Sequence, residues 1–319
     1  MPAAESIRMT LILGLMNRRY AVLVSDRRLT IDGRMAEDES NKAATFDCAD
    51  GRLAIAFTGL AKAGAFVTNR WLLDAFAEAA EPDYLALPTI HRVAKLATDR
   101  FKTLPVGRAS AKSLSVLCAG YLYDAANPSG LLALLSNFER LDGGPLASPN
   151  SEFIVDSRRA QRDIGSVPSA ALVVGVSKAV SDEHMGALVE LVRDESRPAD
   201  ALVGKAVAVL RAAADSPKAM NSIGKQCTSI VLSSNPDEPV LVEYHSARRS
   251  YVVRGVSHVS ARGPGLGIFE IADPERGITV NNMPIILRGP DLGRNQPCWC
   301  GAKRPDGLPK KYKHCHGRR

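Results

Sequence analysis

The sequence predicts an α+β fold in which two antiparallel sheets pack face to face and a pair of helices covers each outer surface, a four-layer αββα sandwich. Three observations predict it. Short apolar runs bounded by polar turns read as strands, two successive pairs of segments carry apolar residues at helical spacing, and the order is strands, two helices, strands, two helices, strands. Each amphipathic helix must bury its stripe on a sheet, and each sheet must bury its other face, so this order stacks in four layers. A doubly wound parallel fold would alternate strands and helices singly.

Residues 10–15 and 20–26 read as two strands joined by the turn Asn17-Arg18-Arg19, and 52–58 as a third strand ended by Gly59. Residues 60–80 and 87–104 read as helices, with Phe66, Leu72, Leu73 and Phe76 on one stripe and Ile90, Val93, Leu96 and Phe101 on the other; Pro82 and Pro88 punctuate them. Strands resume at 114–123, 131–136, 152–155 and 170–176, helices at 182–193 and 198–214, and strands again at 228–233, 240–244 and 251–253. Beyond Asn281 the chain turns rich in Gly, Pro and Arg, so the expected divisions are a short extension or mis-assigned start at 1–9, a main domain at 10–285, a linker at 286–293 and a terminal module at 294–319.

Charge divides along the same line. Of 41 Lys/Arg and 34 Asp/Glu, nine basic and two acidic residues lie in 288–319, which leaves 32 of each in the remainder. The main body is neutral, and this distribution argues against a nucleic-acid partner, because binding through the few cations of the tail is weak and strongly salt-dependent. No apolar stretch approaches the ~20 residues of a membrane span, and the first run, 10–16, lacks the length and the small-residue cleavage site of a secretory signal. The expectation is a cytoplasmic protein. Cys48, Cys118 and Cys227 stand singly in apolar sequence as reduced core residues, whereas Cys298, Cys300 and Cys315 cluster as metal ligands do.

Within the first sixty residues, Thr10 opens the first strand, Asp26 closes the second in the string Asp26-Arg27-Arg28-Leu29-Thr30, and Lys42 follows; the two intervals are sixteen and sixteen. This pattern resembles the proteasome β-type subunits of the N-terminal nucleophile hydrolases, with Gly59 standing where that family has an oxyanion donor. The likeness covers most of residues 9–260 in element order, with its specific motifs at 10–59. It implies peptide or amide hydrolysis by Thr10, whose own α-amine acts as base once exposed, with Lys42 held by Asp26 beside that amine and the Gly59 amide facing the developing oxyanion. The resemblance also implies a peptide or protein substrate, and allows assembly into a homo-oligomeric ring. Four departures are visible: Met9 rather than glycine precedes Thr10, a few extra residues at about 47–51 separate Gly59 from Lys42, Ser222-Ile223-Gly224 has Ala219 where the family has an aspartate, and Ser177 matches a helper serine only loosely. Thr10 becomes terminal if residues 1–9 are cleaved off, or if translation starts at Met9 and that methionine is removed. The alternative expectation is an inactive scaffold or adaptor that keeps the sandwich and binds partners.

At the other end, Cys298-Trp299-Cys300-Gly301 and Lys310-Lys311-Tyr312-Lys313-His314-Cys315-His316-Gly317 supply three thiolates and an imidazole, the ligand set of a closed Zn(2+) site. Some thirty residues make little core, so metal ligation would supply most of the folding free energy of such a module. This end resembles the SEC-C zinc knuckle, whose ligands correspond to Cys298, Cys300, Cys315 and His316; His314 is a competing fourth ligand. Fourteen residues separate Cys300 from Cys315 where the usual motif has eight. The resemblance implies recruitment to a protein partner such as a chaperone, a ribosome or an ATPase.

Overall fold

The computed structural model describes residues 10–31, 34–37, 40–106, 112–123, 127–141, 144–160, 169–246, 256–262, 267–271, 278–280 and 283–288, together with 295, 304–306, 308, 310 and 311. In chain order the elements are β1 (Leu11–Met16), β2 (Tyr20–Asp26), β3 (Leu29–Ile31), β4 (Arg34–Glu37), β5 (Ala43–Cys48), β6 (Gly51–Gly59), β7 (Lys62–Ala63) and β8 (Phe66–Val67), then α1 (Thr68–Ala80) and α2 (Ala86–Thr103). The middle of the chain forms β9 (Leu114–Leu122), β10 (Ser129–Ser136), β11 (Glu139–Arg140), β12 (Gly144–Pro145), β13 (Ile154–Ala160) and β14 (Ala170–Gly175). The second helix pair is α3 (Asp182–Arg193) and α4 (Ala199–Asp215), followed by β15 (Cys227–Ser233), β16 (Val240–His245), β17 (Val256–Ala261), β18 (Gly267–Ile271), β19 (Ile278–Val280) and β20 (Met283–Arg288).

Two seven-stranded sheets organise the molecule, one in the order β14-β1-β2-β15-β16-β20-β19 and the other β13-β10-β9-β6-β5-β17-β18. Their facing sides meet in a core that includes Ile12, Met16, Leu23, Ala54, Ala56, Leu117, Ala119, Leu132, Val174 and Ile230. On the outer side of the first sheet, Leu11, Leu13, Leu15, Val22 and Val24 pack with Leu188, Val192, Leu202, Val203 and Leu210 of α3 and α4. On the outer side of the second, Leu53, Ile55, Phe57, Val116 and Cys118 pack with Leu72, Phe76, Ile90, Val93 and Phe101 of α1 and α2. The layers therefore run helices, sheet, sheet, helices. The central strands bury both faces, which is why they read as continuous apolar runs instead of alternating ones.

Several expectations are corrected. The sheets are not wholly antiparallel: β5 pairs with β17 and β16 with β20 in parallel. The first helix begins at Thr68 rather than 60, because residues 60–67 form the small β7–β8 hairpin, fastened where the Thr68 N–H donates to the Ala61 carbonyl (3.0 Å) and its hydroxyl to that of Leu60. Strand β13 starts later than expected and runs on to Ala160, β5 and β17–β20 are additional strands, and β20 continues through Arg288, into the stretch expected to be linker. The expected strand at 251–253 lies outside the described residues. Helix α3 matches its expected span, and its ends explain why. Ser181 accepts from the His184 N–H (3.2 Å), Asp182 and Glu183 sit in the first turn and Arg193 in the last, which places opposite charges against the helix dipole.

Candidate active site

Five chain segments end together at one mouth of the sandwich: the start of β1, the ends of β2, β6 and β14, and the start of β5. The β1–β2 register, with Ile12 opposite Ser25, brings Leu11 level with Asp26, and the Leu11 N–H donates to Asp26 Oδ2 (2.8 Å). Lys42 enters from the second sheet. Its Nζ lies 2.7 Å from Thr10 Oγ1 and 3.4 Å from Asp26 Oδ1, and it also donates to the Arg28 carbonyl. Thr10, Asp26 and Lys42 are 8%, 0% and 4% exposed, so the ion pair and the hydroxyl share a nearly dry site. Three of the expected site residues are thus brought into one cluster.

Burial pushes the Asp26 carboxyl above its ordinary range, while the Lys42 ammonium and the N–H groups of Leu11, Arg28 and Gly224 pull it back down. The Gly224 contact explains the Ser222-Ile223-Gly224 segment. It supports Asp26, and the preceding Met220 and Asn221 hold left-handed backbone (φ +47° and +61°) to deliver it. Ser222 itself donates to the Ala219 carbonyl (2.6 Å), and Ala219, where the resemblance calls for an aspartate, is fully buried.

Gly59 ends β6 with φ +105°, and a Cβ there would stand 2.3 Å from the Ser113 carbonyl oxygen, so the backbone passes where only glycine fits. Its neighbour Thr58 donates to the Thr10 carbonyl (3.2 Å), and the Val176 N–H reaches the same oxygen at 3.2 Å. Gly175 (φ +96°) lies against that carbonyl so closely that a Cβ would be 1.8 Å from it. Sequence reading missed Thr58, Gly175 and the buried Glu139 that holds Gly175. A glycine at a strand end, beside the loosely matched Ser177, was the available signal.

A groove of about 480 Å³ between α2 and the start of β13, lined by residues including His91, Lys95, Thr98, Glu152 and Phe153, shares no residue with this cluster. The expected zinc ligands Cys298, Cys300, Cys315 and His316, and the competing His314, lie outside the described residues. Among the described residues no group of three or more His, Cys, Asp or Glu could hold a metal ion, and no helix is long and apolar enough to cross a membrane. Cys48, Cys118 and Cys227 are buried free thiols.

No protein-family model matches the chain. Part of it is similar to the protein translocase subunit SecA: 57 residues are 40% identical to the protein of Pseudomonas putida KT2440, and 40 residues are 42% identical to that of Borreliella afzelii. These stretches are 18% and 12% of this chain, and they span only 6% and 4% of the two relatives. Among solved structures, Anbu (ancestral beta-subunit) from Yersinia bercovieri matches over 70% of this chain and 81% of its own, with 14% identity and a TM-score of 0.46. At that distance, the architecture rests on the strand order and layer contacts described above.

Proposed function

We propose that this chain is a threonine-type N-terminal nucleophile hydrolase that cleaves peptide or amide bonds through Thr10. The observation that carries the reading is the 2.7 Å contact of Lys42 Nζ with Thr10 Oγ1, backed by Asp26 in a nearly dry cluster. A threonine hydroxyl is a weak nucleophile until a base takes its proton, and a free α-amine, with an ordinary pKa of about 7.7–8.0, is suited to that task near neutral pH. The Lys42 charge disfavours protonation of that amine and stabilises the developing alkoxide. Attack by Oγ1 on a substrate carbonyl forms a tetrahedral oxyanion, for which the Gly59 amide is the proposed donor. The proton on the Thr10 amine then passes to the departing amine, leaving an ester on Thr10. Water, activated by the same amine, releases the acid product and restores the hydroxyl.

This chemistry requires that no peptide bond precede Thr10 in the mature protein. Intact mass of the native protein decides that point: a chain beginning at Thr10 is expected, and one that keeps residues 1–9 defeats the mechanism. A β-lactone or epoxyketone probe is expected to label Thr10 in the mature chain. Thr10→Ala abolishes labelling, and Lys42→Ala reduces it by at least about 100-fold, the scale of losing a positioned electrostatic partner. A mature chain with a free Thr10 that takes no label favours a partner-binding scaffold instead.

For the C-terminal segment, the proposal is a structural Zn(2+) site in a module that recruits a protein partner. Three thiolates and an imidazole fit zinc in number and kind, with Cys298, Cys300, Cys315 and His316 as the holders. The SecA likeness supports this reading if its short span falls on the cysteine-rich end. One zinc per full-length chain, lost in Cys298→Ser, is the expected metal content. The proposed setting is the cytoplasm, where the isolated thiols remain reduced.

A further inference from the structure

Glu139 is a buried carboxyl to which the mechanism above assigns no task. It opens β11, is 4% exposed, and accepts the Gly175 N–H on Oε1 at 2.8 Å, while Oε2 is buried without a hydrogen-bond partner among the described residues. Desolvating a carboxyl to hold one backbone amide is a costly arrangement. Its surroundings show how it is held. Ser136 Oγ accepts the N–H groups of Phe138 (2.9 Å) and Glu139 (2.8 Å), which occupies both of its lone pairs. The Ser136 hydroxyl also contacts Ser115 Oγ (2.8 Å) and donates to the Leu114 carbonyl (3.3 Å), and Ser115, beside the Glu139 carboxyl, favours its charged form. The chain of contacts runs Ser136, Ser115, Glu139, Gly175, and it ends on the Thr10 carbonyl, against which Gly175 is packed and to which Val176 donates.

We propose that Glu139 is a positioning residue: through the Gly175 amide it holds the Gly175-Val176 turn against Thr10, and so sets the threonine hydroxyl on Lys42. Placing a nucleophile within a few tenths of an ångström requires such support from groups that never touch substrate. The tether is a property of the fold, whereas its effect on rate rests on the hydrolase reading. Burial raises the Glu139 carboxyl above its ordinary value, opposed by Ser115 and the Gly175 N–H. Of the charged groups around it, Arg140 turns to the Glu139 main-chain carbonyl (3.2 Å), Asp156 takes the Leu141 N–H (3.0 Å), and Asp26 and Lys42 face each other.

The test uses the mature chain beginning at Thr10, as wild type, Glu139→Gln, Glu139→Ala and Ser115→Ala, with two readouts. The first is amide hydrogen exchange at Gly175 and Val176. Glu139→Ala is expected to accelerate exchange at Gly175 by about tenfold or more, the factor for one charge-assisted hydrogen bond, with α1 and α2 unchanged. Ser115→Ala is expected to act in the same direction more weakly, and it stands in should Glu139→Ala not fold. Glu139→Gln, whose amide oxygen accepts the same bond, is expected to stay within about threefold of wild type. The second readout is the rate of Thr10 acylation by a β-lactone against pH. Glu139→Ala is expected to slow it at every pH tested, whereas Glu139→Gln, a neutral isostere that accepts the same bond, is expected to keep a rate close to wild type. Unchanged exchange at Gly175, acceleration spread equally over the whole chain, or acylation of Glu139→Ala at the wild-type rate each overturns the proposal. A wild-type protein that takes no label while Glu139→Ala opens Gly175 sinks the hydrolase reading and leaves the tether standing.

Discussion

Gly175 is the position where the site tolerates least. Its φ of +96° is unfavourable for any side chain, and an alanine Cβ would lie 1.8 Å from the Thr10 carbonyl oxygen, an immovable backbone atom. Gly14 offers a contrast, because a Cβ there meets the end of the Leu117 side chain at 2.8 Å, which can turn aside. Gly175→Ala is therefore expected to destabilise the fold by about 3 kcal/mol or more and Gly14→Ala by about 1–3 kcal/mol, measured by urea denaturation. Equal losses for the two would contradict this account. Asp26 and Lys42 are coupled in a related way. Removing the ammonium leaves a buried carboxylate uncompensated, a change that costs about 3–5 kcal/mol, so lost labelling in Lys42→Ala is to be read beside its unfolding curve.

At the scale of elements, legibility follows one-sided burial. Helix α2 buries Ile90, Val93, Ala94, Ala97 and Phe101 and turns its other side to solvent, so its periodicity can be read directly. Strand β5 hides from such reading, since all six of its residues are buried and its sequence AATFDC neither alternates nor forms an apolar run. The polar members are accommodated by distant partners. Thr45 contacts His258 (2.8 Å), and Asp47 faces Arg52 (3.6 Å) and Arg262 (2.6 Å). Those partners come from β6, from β17 and from the residue that follows β17, and the parallel β5–β17 pairing joins segments some two hundred residues apart. No local pattern encodes a pairing of that range. The sixteen-residue interval from Thr10 to Asp26, by contrast, is a hairpin property: two antiparallel strands and a short turn return the chain to its starting level.

For the molecule as a whole, buried titratable groups divide into two sets with opposite effects on stability. Burial, with Arg262 and Arg52 nearby, lowers the His258 pKa from 6.5 to about 4. The unfolded chain therefore binds this proton first, and stability is lost as pH falls from about 6.5 to about 4. The carboxyls of Asp26, Asp47 and Glu139, all raised chiefly by burial, act in reverse: their contribution is present below the ordinary carboxylate pKa and is lost as pH rises through the raised one. His258→Gln is expected to flatten the acid side of the stability profile between those two histidine values, by up to about 3 kcal/mol at its lower end. An unaltered slope in urea titrations across that range would remove His258 from the account. By itself the sequence determined the two helix pairs, the β1–β2 hairpin, and three side chains with suitable chemistry at the first strands, because periodicity and short-range register are set by neighbours along the chain. Only the tertiary structure decided that Lys42 crosses from one sheet to meet Thr10 on the other, and that Glu139 reaches Gly175 behind it. Those contacts depend on how two doubly buried sheets stack, and such packing leaves no periodic trace in either strand.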